Sequence, residues 1–178
     1  MGTVSSSYVI GVVNGRANVG GFVGANGGGS EIINSYARVS VTGKPSDQGW
    51  SGGFCGINGG SIKYSYSTGS VYYDEDIDNP TDKGFVGGEL EDTTYTSNFF
   101  DEESSNQSSA TGATGKTTSQ MKNISTFNNA GWTIEAVSSG QNKYPHLAWE
   151  TDSSGMWLQE QDPYPPTNPS PSNGANNV

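Results

Sequence analysis

Glycine and apolar residues recur along the first half of the chain in one repeated block. Residues 20–28 (GGFVGANGG) return as residues 52–60 (GGFCGINGG), and in shorter form as residues 84–88 (GFVGG). The central phenylalanines Phe22, Phe54 and Phe85 are 32 and 31 residues apart. Self-similarity at such a period indicates stacked supersecondary units that bury one another's apolar faces.

A second pattern follows each glycine block. Residues 32–43 (IINSYARVSVTG) align with residues 62–73 (IKYSYSTGSVYY), and the N-terminus enters the same pattern midway. The matched positions are Val4, Ile32 and Ile62; Tyr8, Tyr36 and Tyr66; and Val13, Val41 and Val71. Because the chain begins inside a repeat, we expect it to be a fragment of a longer array.

A unit of about 30 residues with short strands and tight turns is typical of one coil of a β-helix. We therefore predict an all-β fold, a short right-handed parallel β-helix of about three coils with an irregular C-terminal cap. Equivalent residues would lie roughly 4.8 Å apart on successive coils, so the three phenylalanines should stack. The glycines around them are expected where a larger side chain would collide with the next coil.

The rest of the chain is predicted to close and extend this solenoid. We assign residues 1–98 to the solenoid, 99–160 to a capping segment of the same domain, and 161–178, rich in Pro, Ser and Asn, to a linker. A short helix is predicted from Thr118, with Thr117 or Thr118 as its N-cap. Large apolar side chains of the capping segment are expected to cover the open end of the solenoid. They are Phe127, Trp132, Ile134, Tyr144, Leu147 and Trp149.

The repeat resembles the bacterial GLUG motif. The resemblance is carried by residues 20–24 (GGFVG), 26–28 (NGG) and 32–37 (IINSYA). Residues 98–101 (NFFD), 115–121 (GKTTSQM), 130–132 (AGW) and 144–149 (YPHLAW) resemble the segment that closes such arrays, although Phe99-Phe100 stands where a pair with Trp is usual. The resemblance implies a scaffold found in large secreted adhesin-like proteins, some IgA-specific metallopeptidases and multi-domain polysaccharide-degrading enzymes.

Composition restricts the partners. The chain has 178 residues, 31% of them hydrophobic, with 8 basic and 18 acidic side chains and a formal charge of −10. This charge argues against nucleic acid and against anionic membrane surfaces. No apolar run is long enough to cross a bilayer, so we expect no membrane insertion. The single cysteine, Cys55, occupies the position of Val23 and is interpreted as a small packed hydrophobe.

An acidic stretch offers a candidate metal site. Asp74, Asp76, Asp78 and Asp82 lie at near-alternate positions, and hard oxygen ligands of this kind can bind calcium. The EF-hand pattern is not met, because Asn79 stands where Gly is required. The alternative is a solvated acidic loop that protects a sheet edge from pairing.

Aromatic residues near the coil corners offer a candidate carbohydrate site. They are Trp50, Tyr64, Tyr66, Tyr72 and Tyr73. Aromatic faces can stack on sugar rings, and the alternative is a ladder of tyrosines packed from coil to coil.

Catalytic signals are weak. Asp101, Glu102 and Glu103 could supply paired carboxylates, but a structural hydrogen bond is the simpler role for Asp101. His146 has no nucleophile near it in sequence, and a hydrogen-bonded structural histidine is the simpler interpretation. No H-E-x-x-H motif is present, so the resemblance implies no peptidase activity here.

We therefore predict a non-catalytic module of a larger secreted or cell-surface bacterial protein. It would act as a spacer or adhesion domain beside the flanking domains of its parent chain and bind polysaccharide or a host or cell-surface glycan. The alternative is a polysaccharide-degrading β-helix, a glycoside hydrolase or lyase, although the few basic residues are not clustered in sequence. Ice binding would require regular ranks of threonine, and Thr42, Thr68 and Thr94 are out of register.

Overall fold

The computed structural model describes residues 1–44, 49–74, 78–134 and 143–150. The strands are β1 Thr3–Ser5, β2 Tyr8–Gly15, β3 Val19–Gly20, β4 Val23–Asn26, β5 Glu31–Gly43, β6 Ser51–Gly52, β7 Cys55–Asn58, β8 Ser61–Ser67, β9 Val71–Tyr73, β10 Val86–Glu89, β11 Thr94–Thr96, β12 Phe99–Asp101 and β13 Thr114–Lys116. The helices are α1 Glu102–Ser105, α2 Thr118–Met121 and α3 Ile124–Asn128, and a 3-10 turn spans Ala148–Glu150.

All pairings between these strands are parallel. The large sheet has the order β1-β5-β8-β12-β13, with β2 and β9 also pairing with β5, and β11 with β8. A second sheet has the order β10-β7-β4, and β3 pairs with β6 in a third. The chain therefore winds as a parallel β-solenoid of about three turns, and the predicted fold class is confirmed. The large sheet continues beyond residue 98 through β12 and β13.

The predicted stacking of the phenylalanines is confirmed. The ring centroids of Phe22 and Phe54 are 4.9 Å apart, and those of Phe54 and Phe85 are 4.8 Å apart, with nearly parallel planes. Phe54 and Phe85 are fully buried and Phe22, at the end of the stack, is half-buried. The predicted alignment of the N-terminus also holds, because Val4 pairs with Ile32 and Tyr8 with Tyr36.

The glycines lie where the coils approach most closely. A Cβ atom added to Gly52 would lie 2.4 Å from the Cys55 carbonyl oxygen and 2.4 Å from the Gly87 nitrogen. The same addition at Gly20 would lie 2.6 Å from the Gly56 nitrogen on the next coil. Real side chains do not tolerate such distances, so coil-to-coil packing requires glycine at positions 20 and 52.

A column of left-handed residues bends the large sheet at the same place in every coil. Ser6, Asn34, Tyr64 and Ser97 have φ values of 48°, 51°, 46° and 51°. Such values are unfavourable for non-glycine residues. Hydrogen bonds offset the cost: the Ser6 N–H donates to the Ile33 carbonyl at 3.1 Å. This column therefore places one bend at an equivalent position of each coil.

Buried amides stabilise the turns beside the strands. The Asn26 Nδ2 donates to the Asn58 Oδ1 at 2.8 Å, joining two coils. Asn98 spans a neighbouring turn, since its Oδ1 accepts from the Ser65 N–H and its Nδ2 donates to the Ile62 carbonyl. The buried amides of Asn26, Asn58 and Asn98 are thus paired within the stack.

The interior of the solenoid and its outer face form two separate cores. The interior cluster contains the Phe54–Phe85 stack, Ile32, Ile62, Val41 and Val71. The outer cluster contains Tyr36, Tyr66, Phe99, Met121, Phe127, Trp132, Ile134 and Leu147. Side chains alternate across a strand, so Tyr36 faces outward while its neighbour Ala37 faces the interior.

The prediction for the cap was therefore wrong in its placement. The large apolar residues from 127 to 147 lie against the outer face of the sheet rather than over the open end. Beside β10, Ala110 and Thr111 form antiparallel bridges to Lys83 and Val86, and Ala110 and Ala113 pack against the interior cluster. The predicted short helix is confirmed as α2, and Thr117 caps it in a capping box with Gln120.

Candidate functional site

Tyr66, one of the five aromatic candidates for sugar binding, is not available to a ligand. Its ring stacks on Tyr36 at 4.8 Å, Tyr36 stacks on Tyr8 at 5.1 Å, and Tyr66 is fully buried. The alternative interpretation, a coil-to-coil tyrosine ladder, is correct for this position. The alternation of inward and outward residues explains the burial, because the C-terminal segment covers this outer column.

The C-terminal segment, residues 143–150, is held on the ladder by the tyrosine hydroxyls. The Tyr66 hydroxyl donates to the Pro145 carbonyl at 2.7 Å, and the Tyr36 hydroxyl donates to the Glu150 Oε2 at 2.7 Å. Burial raises the pKa of both phenols above the ordinary tyrosine value. Burial also raises the pKa of Glu150, and the hydrogen bond from Tyr36 offsets part of this effect.

The other aromatic candidates do not form one cluster. Tyr64 is half-buried and meets the edge of Trp132 at 6.1 Å, on the side covered by the cap. Trp50 and Tyr72 are the exposed members, at 42% and 40%. Trp50 packs its indole against Gly88. Tyr73 is half-buried. Burial raises the pKa of its phenol, and the nearby charge of Asp82 adds a smaller contribution in the same direction.

Polar side chains form two columns on the outer face of the sheet at the ends of β2, β5 and β9. Asn14, Thr42 and Tyr72 pair in register across the three strands. Arg16, Lys44 and Asp74 follow two residues later. The pairing continues that far, because the Lys44 N–H donates to the Gly15 carbonyl and the Asp74 N–H to the Gly43 carbonyl.

A shallow cavity of about 370 Å³ lies over these columns. Its lining is Asn14, Gly15, Arg16, Thr42, Lys44 and Asp74. Sequence reasoning named Asp74, and Tyr72 on the rung beside Thr42, but it missed the other lining residues. The repeat alignment that pairs Asn14 with Thr42 and Tyr72 could have found them. Two positions further along, the same alignment brings Arg16, Lys44 and Asp74 together.

The candidate metal ligands have different surroundings. Asp74 lies 3.5 Å from the Lys44 ammonium and Asp82 lies 3.1 Å from that of Lys83. Asp78 is exposed, and Asp76 lies outside the described residues. Within the described parts of the chain, no three His, Cys, Asp or Glu residues lie grouped as metal ligands. Calcium binding stays a prediction.

Two of the three carboxylates considered for catalysis, Asp101 and Glu103, have structural partners. Asp101 is fully buried; its Oδ1 accepts from the Glu103 and Ser104 N–H groups at the start of α1, and its Oδ2 accepts from the Tyr144 hydroxyl. Glu103 accepts from the Thr118 N–H at 2.7 Å. The structural role expected for Asp101 is confirmed.

The remaining reactive side chains are buried. His146 is 1% exposed, and its Nδ1 lies 2.9 Å from the Leu147 carbonyl oxygen. Cys55 is fully buried, and burial raises the pKa of its thiol to about 12. The interpretation of Cys55 as a packed hydrophobe is confirmed, since a thiol with so high a pKa is unreactive near neutral pH.

Comparisons with known proteins agree with the repeat. The family model described as the GLUG motif matches residues 15–42. A protein of Evansella cellulosilytica described as a Gly-rich membrane protein is 33% identical over 122 residues, which are 66% of this chain and 14% of that protein. No solved structure matches the chain.

The chain thus spans only a small part of the length of that relative. Among the residues that the structure describes, no helix has the length and apolar character needed to cross a membrane. The matched residues 15–42 contain β3, β4 and nearly all of β5, which form one turn of the solenoid. The chain therefore carries a bacterial GLUG motif at residues 15–42, built into a parallel β-solenoid.

Proposed function

We propose that the chain is a non-catalytic module of a larger secreted or cell-surface bacterial protein, where it spaces its neighbours and binds carbohydrate. The observation that carries the proposal is the exposure of Trp50 and Tyr72 on a rigid stack of parallel rungs. Large aromatic faces held by a regular scaffold are suited to stacking on sugar rings. They also cost little conformational entropy on binding.

The stack itself supports the spacer role. Its interior is continuous through the rings of Phe22, Phe54 and Phe85, and each coil contacts its neighbours through parallel strands. A solenoid of this kind is extended in one direction, so it separates whatever is attached to its two ends.

One further observation supports a location at the cell surface, and another bears on solubility and partners. The relative from Evansella cellulosilytica is described as a membrane protein, and this chain covers a small part of it. The formal charge of −10 favours solubility and argues against nucleic acid as the partner.

A glycan array with and without calcium tests the carbohydrate part of the proposal. We expect binding to at least one polysaccharide class and its loss in Trp50→Ala. Trp149→Ala is the matched control, because Trp149 is also half-exposed but stacks on Tyr8 at the far side of the ladder. Product release from a panel of polysaccharides would instead favour the alternative, a polysaccharide-degrading domain.

A further inference from the structure

Two polar columns lie at the ends of β2, β5 and β9. The columns face outward. Val41 and Val71 are fully buried in the interior, and the next residues, Thr42 and Tyr72, lie on the opposite face of their strands. The outward rank therefore places Asn14, Thr42 and Tyr72 in one line across three coils, and its neighbouring rank is Arg16, Lys44 and Asp74.

The charge of this surface is carried by Arg16. Lys44 and Asp74 lie 3.5 Å apart and largely neutralise each other. Arg16 is exposed, lines the cavity, and makes no ion pair with any residue that the structure describes. Within the described part of the chain, this guanidinium is thus not neutralised by a carboxylate, although the formal charge of the chain is −10. A planar guanidinium binds a carboxylate through two parallel hydrogen bonds.

The other lining groups match hydroxyl groups rather than a second anion. Asn14 offers both a donor and an acceptor, Thr42 offers a hydroxyl, and the Asp74 carboxylate accepts. Tyr72, which is 40% exposed, presents an aromatic side chain on the next rung from Thr42. Asp74 would repel a densely charged phosphate polymer, whereas an acidic polysaccharide carries one carboxylate per sugar among several hydroxyls.

We propose that this outer face binds a uronic acid unit of an acidic polysaccharide, with Arg16 on the carboxylate, Asn14, Thr42 and Asp74 on the hydroxyls, and Tyr72 against the ring. This assignment rests on the carbohydrate-binding function proposed above and names the sugar class and the site. No covalent step is involved.

The test is a titration of the full chain with an oligogalacturonate and, in parallel, with neutral gluco- and mannooligosaccharides. We expect binding of the oligogalacturonate to weaken about 10- to 100-fold in Arg16→Gln, because a charged hydrogen-bonding partner is removed. Binding should also weaken as salt is raised from low to physiological concentration. The control Lys63→Gln removes a cation paired with Glu31 on the same sheet and should bind as the unmodified chain does.

The outcomes separate this inference from the proposed function. Binding of neutral oligosaccharides only, or oligogalacturonate binding that is unchanged in Arg16→Gln, would overturn the acidic-sugar site and leave the carbohydrate-binding module standing. Failure to bind any of the sugars would overturn both. Tyr72→Phe should retain most of the affinity and Tyr72→Ala should lose it, and equal affinities would contradict a stacking role for that ring.

Discussion

At the scale of single residues, the stability of the solenoid depends on a few rings that have no alternative place to pack. Phe54 is the middle ring of the interior stack and contacts a ring on each side, at 4.9 Å and 4.8 Å. It is fully buried, whereas Phe22 at the end of the stack is half-buried. These two residues therefore have the same chemistry and different surroundings.

We expect Phe54→Ala to lower the free energy of unfolding by about 3–5 kcal/mol, because it removes a buried ring and leaves a cavity between two others. Phe22→Ala should cost clearly less, since it has one ring neighbour and is already partly hydrated. Urea denaturation followed by far-UV circular dichroism measures both. Equal losses in the two variants would contradict the assignment of Phe54 to the centre of the stack.

Glu150 makes the attachment of the C-terminal segment dependent on pH. Burial raises the pKa of Glu150 in the folded state above that of the unfolded chain. Its contribution to stability is then fully present below the unfolded pKa and is lost as the pH rises through the higher folded pKa. At neutral pH the folded protein therefore keeps an ionised carboxylate in a buried position, which lowers the free energy of unfolding.

We expect the unmodified chain to lose stability relative to Glu150→Gln as the pH rises from about 4 to 7, because the amide cannot ionise. The glutamine keeps an oxygen that can accept from the Tyr36 hydroxyl. Urea midpoints of the two proteins over this range give the comparison. If the two pH profiles ran parallel, Glu150 would not be the titrating group.

At the scale of elements, the repeated glycines decide how closely the coils stack. Gly52 has backbone atoms of the next coil in the space that a Cβ would occupy, whereas a Cβ on Gly27 would meet nothing within 4 Å. Both glycines belong to the repeated block, so they provide a matched pair.

Gly52→Ala should destabilise the fold by about 1–3 kcal/mol or more, because the β6 backbone must move away from β10. Gly27→Ala should be close to neutral or slightly stabilising, through the lower entropy of the unfolded chain. Thermal denaturation of both variants checks the difference. A Gly52→Ala protein as stable as Gly27→Ala would mean that the coils are not in contact there.

The repeats in the sequence are sufficient to predict the coils of the solenoid. They do not predict against which face of the sheet the later segments pack. The spacing of Phe22, Phe54 and Phe85 is sufficient to predict the coils and their register, because equivalent residues must stack. The left-handed conformation of Tyr64 could not be predicted, since large residues seldom adopt it. The number of apolar residues around Trp132 predicts burial, but it does not say against which face.

The candidate site was predicted in part for the same reason. Trp50 and Tyr72 were named as exposed aromatics, and they are. Tyr66 is also a tyrosine, close to Tyr72 in sequence, yet it belongs to the outer column that the C-terminal segment covers. Arg16 could not be predicted as a site residue from its own position in the sequence. Only the register of the strands shows that it lies beside Lys44.

At the scale of the whole molecule, thermal denaturation with added calcium tests whether an ion bound by the acidic stretch after β9 stabilises the fold. If Asp74, Asp76, Asp78 and Asp82 bind calcium, the melting temperature should rise with calcium concentration, because a ligand that binds only the native state stabilises it. Asp76→Ala should lose the shift. No shift in the unmodified protein would end the calcium prediction.

The solenoid architecture requires that the rings of Phe22, Phe54 and Phe85 lie on successive turns of one coiled sheet. The direct measurement is a nuclear Overhauser spectrum of a sample in which only phenylalanine is labelled. Stacking at 4.9 Å and 4.8 Å predicts ring-to-ring signals from Phe54 to both Phe22 and Phe85. Phe22 and Phe85 should give no signal to each other, since they are two rungs apart, at roughly 10 Å. A missing signal from Phe54 to either neighbour, or a direct signal between Phe22 and Phe85, would contradict the stacked solenoid.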